Sequence, residues 1–566
     1  MRLSLTRSSV RLVPSLAALG FVLAGAPRSA EACGGFFCSS TPVDQTAEHI
    51  LFTVNGDHTV TQYVQIQYAG DPQAFAWIIP SPSTPKLDAS FSNLAMQALD
   101  NATQPQYRTN ACYPPEVAFA GAPSGATDKG SGVTVIARQD VGPYDTVTLT
   151  GTDASVIVDW LQQNGFRITD KMTPFIEPYV EGGMQFVAMR LLPDKGTSDI
   201  TPLVMTYDSD TPMIPLRLTT VAAQPEMGIV VWILADRRYG PENYVNLQIP
   251  DSLIKFDQYG FTNNYLTLVS ELADKVGGQA FVTEYAKVTS DLVTQMQQQT
   301  SPTPEGQQAQ ADLVSLLGRF RYITRLYTRM SAEEMTLDPT FAVSAEQADV
   351  SNIHDLSDPN SPTNCTPPPP PDPCAFAYCG RRGACGEPAA STMPGMPGTA
   401  TNAVPSCLCA GDATARATTT GNGQAAVYCE PMRMNFDDPT SGSSIVQAAC
   451  EGFDCGAHGE CVGMNGNPTC RCEPGYGAVV STTYDPQTGS PKYGLSCEFV
   501  TNAPLALPRL PPVGQTTIPG GASSDASGGC STAPGRSADT DASAVLVALS
   551  ALLGFRRRRT ASSRPS

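Results

Sequence analysis

The sequence predicts an α+β fold: a β-rich N-terminal domain with inserted helices, two small disulfide-rich modules, Pro-rich linkers and a short C-terminal hydrophobic helix. Three observations lead there. Up to about residue 341, apolar runs of strand length dominate, and helical stripes interrupt them without the regular alternation of a doubly wound sheet. From Cys374 to Cys497, most of the 17 cysteines fall into two arrays of matching spacing. At the end, an apolar segment runs into Arg556, Arg557, Arg558 and Arg559, a basic stop that stays on the cytoplasmic side.

The N-terminus reads as an export signal. Arg2, Arg7 and Arg11 precede the apolar run 12–26, and Ala30-Glu31-Ala32 forms a small-x-small cleavage site before Cys33. A signal peptide 1–32, cut between Ala32 and Cys33, is expected. Lipoprotein processing at Cys33 is disfavoured, because Glu31 and Ala30 replace the small and branched residues it prefers. Export places the cysteines in an oxidising compartment, so they read as a disulfide inventory. The formal net charge is −18, and both ends are basic, so the chain between them is more acidic still. A polyanion of this kind is repelled by phosphate backbones, which excludes nucleic acid as a partner.

The domain is expected over 33–345. Strands 49–54 and 59–68 flank Asn55-Gly56-Asp57, and alternating Val60, Val64 and Ile66 mark a hairpin. A strand follows at 74–79, ended by Pro80 and Pro82, then a helix at 91–102 after Asp88 and Ser90. Strands are read at 133–138 and 146–150. The clearest helix is 153–164: Asp153 caps it, Val156, Ile157, Trp160 and Leu161 make its apolar stripe, and Gly165 closes it. Further strands are expected at 184–192, 203–207, 213–218 and 229–234, helices at 263–276, 292–299 and 307–320, and a last strand at 322–328.

Several phrases resemble a secreted bacterial family, the domain of unknown function 2330. They are Cys33-Gly34-Gly35, Val43-Asp44-Gln45-Thr46-Ala47-Glu48, Phe75-Ala76-Trp77-Ile78-Ile79-Pro80, and Asp159-Trp160-Leu161 with Asn164-Gly165-Phe166. The resemblance covers about 33–340. It implies an exported domain and carries no catalytic residues with it.

Residues 346–373 are polar and end in prolines 367–371, the composition of a stiff polyproline spacer. The cysteine modules follow at 374–430 and 446–498. Each opens C-x4-C-x5-C and continues with C-x-C: Cys374, Cys379, Cys385, Cys407, Cys409 and Cys429, then Cys450, Cys455, Cys461, Cys470, Cys472 and Cys497. Glycines recur inside the arrays, as in Cys379-Gly380-Arg381-Arg382-Gly383-Ala384-Cys385. A zinc site fits poorly, since C-x-C lacks knuckle spacing and His458 is the one histidine nearby. The arrays resemble epidermal-growth-factor-like modules. That resemblance implies first-to-third, second-to-fourth and fifth-to-sixth pairing: Cys374–Cys385, Cys379–Cys407, Cys409–Cys429, Cys450–Cys461, Cys455–Cys470 and Cys472–Cys497. Segments this short cannot bury enough apolar surface unaided, so bridges supply the constraint. Pro370-Pro371-Asp372-Pro373 and Val446-Gln447-Ala448-Ala449, before the first cysteines, do not make the acidic oxygen cage of calcium-binding versions, so calcium binding is disfavoured. Cys33, Cys38, Cys112 and Cys365 remain, with three connectivities open; a link from the N-terminal pair to Cys112 is expected.

A Pro/Gly/Ser stalk, 499–530, leads to the tail, 531–566. Gly529-Cys530-Ser531, a polar spacer, the apolar segment 542–555 and the arginine cluster resemble myxobacterial C-terminal sorting tails. The resemblance implies processing or lipid attachment near Cys530. The apolar segment is shorter than the roughly 20 residues a spanning helix needs, and a lipid would make up the deficit.

Motifs of catalysis are missing. The chain has 4 histidines, His49, His58, His354 and His458, and no G-x-S-x-G elbow, H-E-x-x-H pair or Walker loop. Trp77 and Trp160 read as core, and Asp44 and Glu48 as a solvated turn. No cofactor or metal is implied. The expected function is an exported, surface-anchored binding or adhesion protein of the bacterial envelope. Its partners would be the membrane, through the tail or a lipid, and an extracellular protein or glycan. The alternatives are an exported hydrolase using carboxylates of the 33–345 domain and an extracellular protease inhibitor.

Overall fold

The computed structural model describes residues 44–515 apart from several stretches, the longest being 110–136, 358–371, 388–404 and 436–448. The signal segment with Ala32 and Cys33, the cysteines Cys38, Cys112 and Cys365, and the tail with Gly529, Cys530, Ser531 and 542–555 lie outside the described residues.

In chain order the domain contains β1 (Asp44–Val54), β2 (Thr59–Ala69), β3 (Ala76–Ser81), β4 (Lys86–Asp88), α1 (Asn93–Thr103) and β5 (Gln106–Arg108). Then come β6 (Ala137–Val141), β7 (Tyr144–Leu149), α2 (Ala154–Gln163), α3 (Thr173–Glu181), β8 (Gln185–Leu191), β9 (Leu203–Asp208) and α4 (Leu216–Thr219). The remainder is β10 (Ala223–Ala235), β11 (Tyr239–Pro241), β12 (Val245–Leu247), α5 (Tyr265–Lys275), β13 (Ala280–Val288), α6 (Thr289–Gln297), α7 (Pro304–Leu317), β14 (Tyr322–Met330), β15 (Phe341–Val343) and β16 (Ile353–Asp355). The architecture is β-rich with a few helices.

An eight-stranded sheet, ordered β12-β13-β14-β10-β1-β2-β9-β4, forms the middle layer. Its central pair, β1 and β10, runs parallel, and β1 turns back onto β2 through the predicted hairpin. The residue with left-handed backbone in that turn is His58, with φ +64°, and not Gly56. Side chains alternate along these strands: Ile50, Phe52, Ile229, Val231 and Ile233 face one core, and Leu51, Val230, Trp232 and Leu234 the other. Burial on both faces explains why β10 reads as an unbroken apolar run. One core is closed by the four-stranded sheet β3-β8-β7-β6 with α2 and α3, the other by α1, α5, α6 and α7. The cap on α2 is the expected one, with Asp153 accepting from Ser155 N at 2.7 Å.

Two expectations fail and one strand goes unread, each for a local reason. The strand read at 213–218 is a single bridge at Met213 followed by α4, because Pro212 and Pro215 withhold the donors a ladder needs. β13 escapes the pattern because Thr283 and Glu284 break its apolar alternation although both are buried. The spacer starts later than residue 346. Val350 bridges to Ala286, the Asn352 amide donates to the carbonyls of Ala102 and Gln104 at 3.2 and 2.9 Å, and β16 pairs with β5.

The cysteine-rich part adds β17 (Gly383–Gly386), β18 (Ser406–Cys409), β19 (Ala413–Thr419), β20 (Ala425–Pro431), β21 (Gly459–Met464), β22 (Asn467–Cys472), β23 (Tyr476–Tyr484) and β24 (Pro491–Phe499). Among the described residues six cysteine pairs are in bonding geometry: Cys374–Cys385, Cys379–Cys407, Cys409–Cys429, Cys450–Cys461, Cys455–Cys470 and Cys472–Cys497. The two arrays are not separate beads. Each four-stranded sheet, β17-β18-β23-β24 and β20-β19-β22-β21, takes strands from both, and one core of half-cystines with Ala415, Val427, Ala478 and Leu495 serves the pair. Among the described residues no helix is long and apolar enough to cross a membrane.

Candidate functional site

The residues singled out in the sequence fall in several places. Glu48 on β1 and Trp77 on β3 line one cleft with Gln62, Pro215, Leu218 and Thr219. Two of the phrases that carry the family resemblance therefore meet in space. The room inside is about 20 Å³, enough for a water molecule and no more. Trp160 packs partly buried against the neighbouring core. The histidines do not converge. His49 presents its ring edge-on to Trp232 at 5.7 Å, and burial pulls its pKa down. His58 pairs with Asp210 at 2.8 Å in solvent, a hydrogen bond that pushes its pKa up. His354 pairs with Asp251 at 2.7 Å and stacks on Tyr107, and His458 pairs with Glu473 at 3.0 Å and stacks on Tyr476.

Carboxylates do converge, and none of those involved is among the residues singled out from the sequence. Asp274 lies in the last turn of α5, Glu333 and Glu334 in the 3-10 turn Ala332–Glu334 after β14, and Glu226 in the irregular start of β10. All four side chains are buried. Local chemistry places each of them. β1 and β10 fall out of register between Gln45 and Ala47, and in that bulge Glu226 takes φ +57°. Ser331 ties two of the acids together: its hydroxyl donates to Glu226 at 3.0 Å, and its N–H donates to Glu334 at 2.8 Å, the return half of a capping box. Ser270 of α5 donates to Glu226 as well. At the end of α5, Gly277 and Gly278 take φ +92° and +84°, and Gly278 lies directly under the Glu334 carboxyl. Only a residue without Cβ leaves that approach open.

The opposite wall of this slot is the cysteine-rich part. Arg381 donates through Nη1 to the Asp274 carboxylate and lies 3.8 Å from Glu334, and the Tyr378 hydroxyl also donates to Asp274. Arg433 reaches Glu333 at 3.0 Å and Arg382 the same carboxylate at 3.7 Å. The domain's own Arg329 sits 3.7 Å from Glu226. Four carboxylates thus meet four guanidinium groups, the acids buried and Arg382 and Arg433 still in part exposed. Burial raises the pKa of Glu226, Asp274 and Glu334, and Glu334 hydrogen-bonds to Asp274, which lifts Glu334 further and lowers its partner. Of the two, Glu334 is lifted the more, and Asp274 keeps the direct ion pair with Arg381.

Each acid of the slot faces a guanidinium of the same chain, an arrangement suited to recognising cations. Among the described residues no group of three or more His, Cys, Asp or Glu side chains is arranged to hold a metal ion. A second buried network, Asp100–Arg325–Glu284, with Nη1 and Nε contacts of 2.6 and 2.5 Å, lies under α1 and α5 and joins helices to sheet.

A family model described as an uncharacterized protein conserved in bacteria, DUF2330, matches residues 27–341, more than half of the chain. The chain belongs to the DUF2330 family. No curated protein and no solved structure matches it. The DUF2330 region contains all four slot carboxylates and Arg329, whereas Tyr378, Arg381, Arg382 and Arg433 come from beyond it. The sequence did carry two signals for this site: the Ser331-x-x-Glu334 capping box, and the adjacent arginines held in the glycine-rich loop between Cys379 and Cys385. What it did not carry was their juxtaposition.

Proposed function

We propose that this DUF2330 protein is an exported binding protein of the bacterial envelope, anchored at the surface through its C-terminal tail. In this reading its cysteine-rich part is a fused pair of epidermal-growth-factor-like modules docked on the DUF2330 domain. The observation that carries it is the set of six cysteine pairs in bonding geometry among the described residues, bonds that persist in an oxidising compartment. The basic and apolar N-terminus before Ala32, and the Cys530 motif ahead of the apolar segment and arginines, supply the export and anchoring halves of the reading.

A hydrolase using converging carboxylates receives less support. The acids that converge are engaged by arginines of the same chain, and the cleft at Glu48 brings in a single carboxylate. The test is mass spectrometry of protein shaved from intact cells, with thiol alkylation before lysis. Export and anchoring predict a mature N-terminus at Cys33, protected half-cystines and a modified or cleaved Cys530. Full-length chain in the cytosol with free thiols would overturn the proposal. A pulldown with the purified ectodomain against envelope protein and glycan then identifies the ligand.

A further inference from the structure

We propose that the acidic slot of the DUF2330 domain is a recognition site for paired arginines, filled in cis by the Arg381-Arg382 loop and open to competition by a polypeptide segment with adjacent arginines. The inference goes beyond the export reading and does not depend on it.

The argument starts from the loop. Cys379-Gly380-Arg381-Arg382-Gly383-Ala384-Cys385 is held at both ends by bridges, Cys379 to Cys407 and Cys374 to Cys385. Gly380, at φ +81°, lies flat against the Tyr428 ring, and a Cβ on Gly383 would collide with Cys379 and the Cys429 sulfur. Such a loop arrives with its backbone already set, so little ordering entropy is lost when it seats. Arg381 enters deepest: its Nη1 meets Asp274, and its Nη2 donates to the carbonyl of Pro511. Arg382 divides itself between Glu333 and the exposed Asp412 of its own module, at 3.7 and 2.9 Å. Forked, two-point bonding of this kind suits a guanidinium and not an ammonium.

The acids of the slot all belong to the DUF2330 region, and the arginines of the loop come from outside it, so the acidic wall and its occupant are separable parts of the chain. A second observation is independent of the acids' clustering. Among the described residues Glu333 Oε1 has no hydrogen-bond partner although its side chain is 1% exposed. Arg382 and Arg433 both approach Oε2, and the other oxygen is left over. A buried acceptor without a donor is costly, and a guanidinium seated squarely on Glu333 would use both oxygens. The cis loop is an adequate ligand for this slot and not an optimal one, which is the condition for displacement.

The test uses the mature protein with its disulfides intact and a fluorescein-labelled, end-blocked Gly-Arg-Arg-Gly peptide, read by anisotropy, beside a Gly-Lys-Lys-Gly peptide. The double variant R381S/R382S frees Asp274 and Glu334, leaving Arg433 on Glu333 and Arg329 beside Glu226, and should bind the arginine peptide at least tenfold more tightly than the unaltered protein, and the lysine peptide no better than before. Adding D274N should abolish the gain. Should R381S/R382S fail to fold, R381K/R382K, which keeps the charge and loses the fork, replaces it with the same expectation. A folded variant that binds no more arginine peptide than the unaltered protein overturns the proposal, as does equal binding of the two peptides.

Discussion

Asp274 pairs directly with Arg381 in the wall that also holds Glu334, and burial beside Asp274 lifts the Glu334 carboxyl well above its ordinary range, which makes Glu334 the favoured seat of a proton in this pair. The assignment predicts unequal substitutions. Glu334→Gln retains a donor to Asp274 and an acceptor for the Ser331 N–H, and should change stability by less than about 1 kcal/mol. Asp274→Ala strands the buried Arg381 guanidinium and should cost about 3–5 kcal/mol, as breaking a buried pair from one side does. Urea midpoints of the two variants check the order; equal losses would remove the shared proton.

The same pair sets a pH dependence. Burial lifts the carboxyls of Glu226, Asp274 and Glu334 above their ordinary values, so the folded chain holds protons that the unfolded chain releases. Their contribution is complete below the unfolded carboxyl range, near pH 4, and is lost as the pH rises through the lifted folded values. Glu334→Gln has no proton to lose. The stability of wild type relative to this variant should therefore fall as pH rises from 4 to 8, measured as the difference between their urea midpoints. A flat difference would place the proton elsewhere.

The hairpin at Asn55-Gly56 and the helix capped by Asp153 were legible because each rests on residues within a few positions of one another. So were the central strands, whose apolar alternation is written into β1 and β2. β13 and the start of the spacer were not legible, since Thr283, Glu284 and Asn352 look solvated until their partners come from β12, β14 and α1. The slot failed for the same reason on a larger scale. Asp274, Glu334 and Arg381 are remote in the chain, and no periodicity marks a charge that will be buried by a second module.

Gly278 provides a steric test of the slot. Its φ of +84° is a conformation L side chains avoid, and a Cβ there would strike the Glu334 carboxyl. Gly278→Ala combines backbone strain of about 1–2 kcal/mol with displacement of the acid that faces Arg381. The expected result is a loss larger than that strain alone, accompanied by faster amide exchange in residues 378–383 of the module. Gly183, with φ +70° and nothing near its missing Cβ, is the control, and Gly183→Ala should show the strain without the effect on the module.

His49 opposes the slot in its pH response. Burial is the main reason that its imidazole stays neutral, and the Arg325 charge adds to it, while Asp100 and Gln65 act the other way without prevailing. A histidine held neutral in the folded chain but free to protonate when unfolded contributes stability that is whole above its unfolded value, near 6.5. That contribution drains away as the pH falls towards the depressed folded value. Burial fixes the sign, and Arg325 reinforces it: the ring meets Trp232, over which Arg325 also lies at 5.0 Å, so a protonated His49 would stand near a second buried cation. Replacing His49 by glutamine should leave urea midpoints close to wild type at pH 7.5 and raise them relative to wild type at pH 5. Glu334→Gln should separate from wild type at the opposite end of the range, so the two variants together divide the profile into an acid limb owned by His49 and a neutral limb owned by the slot.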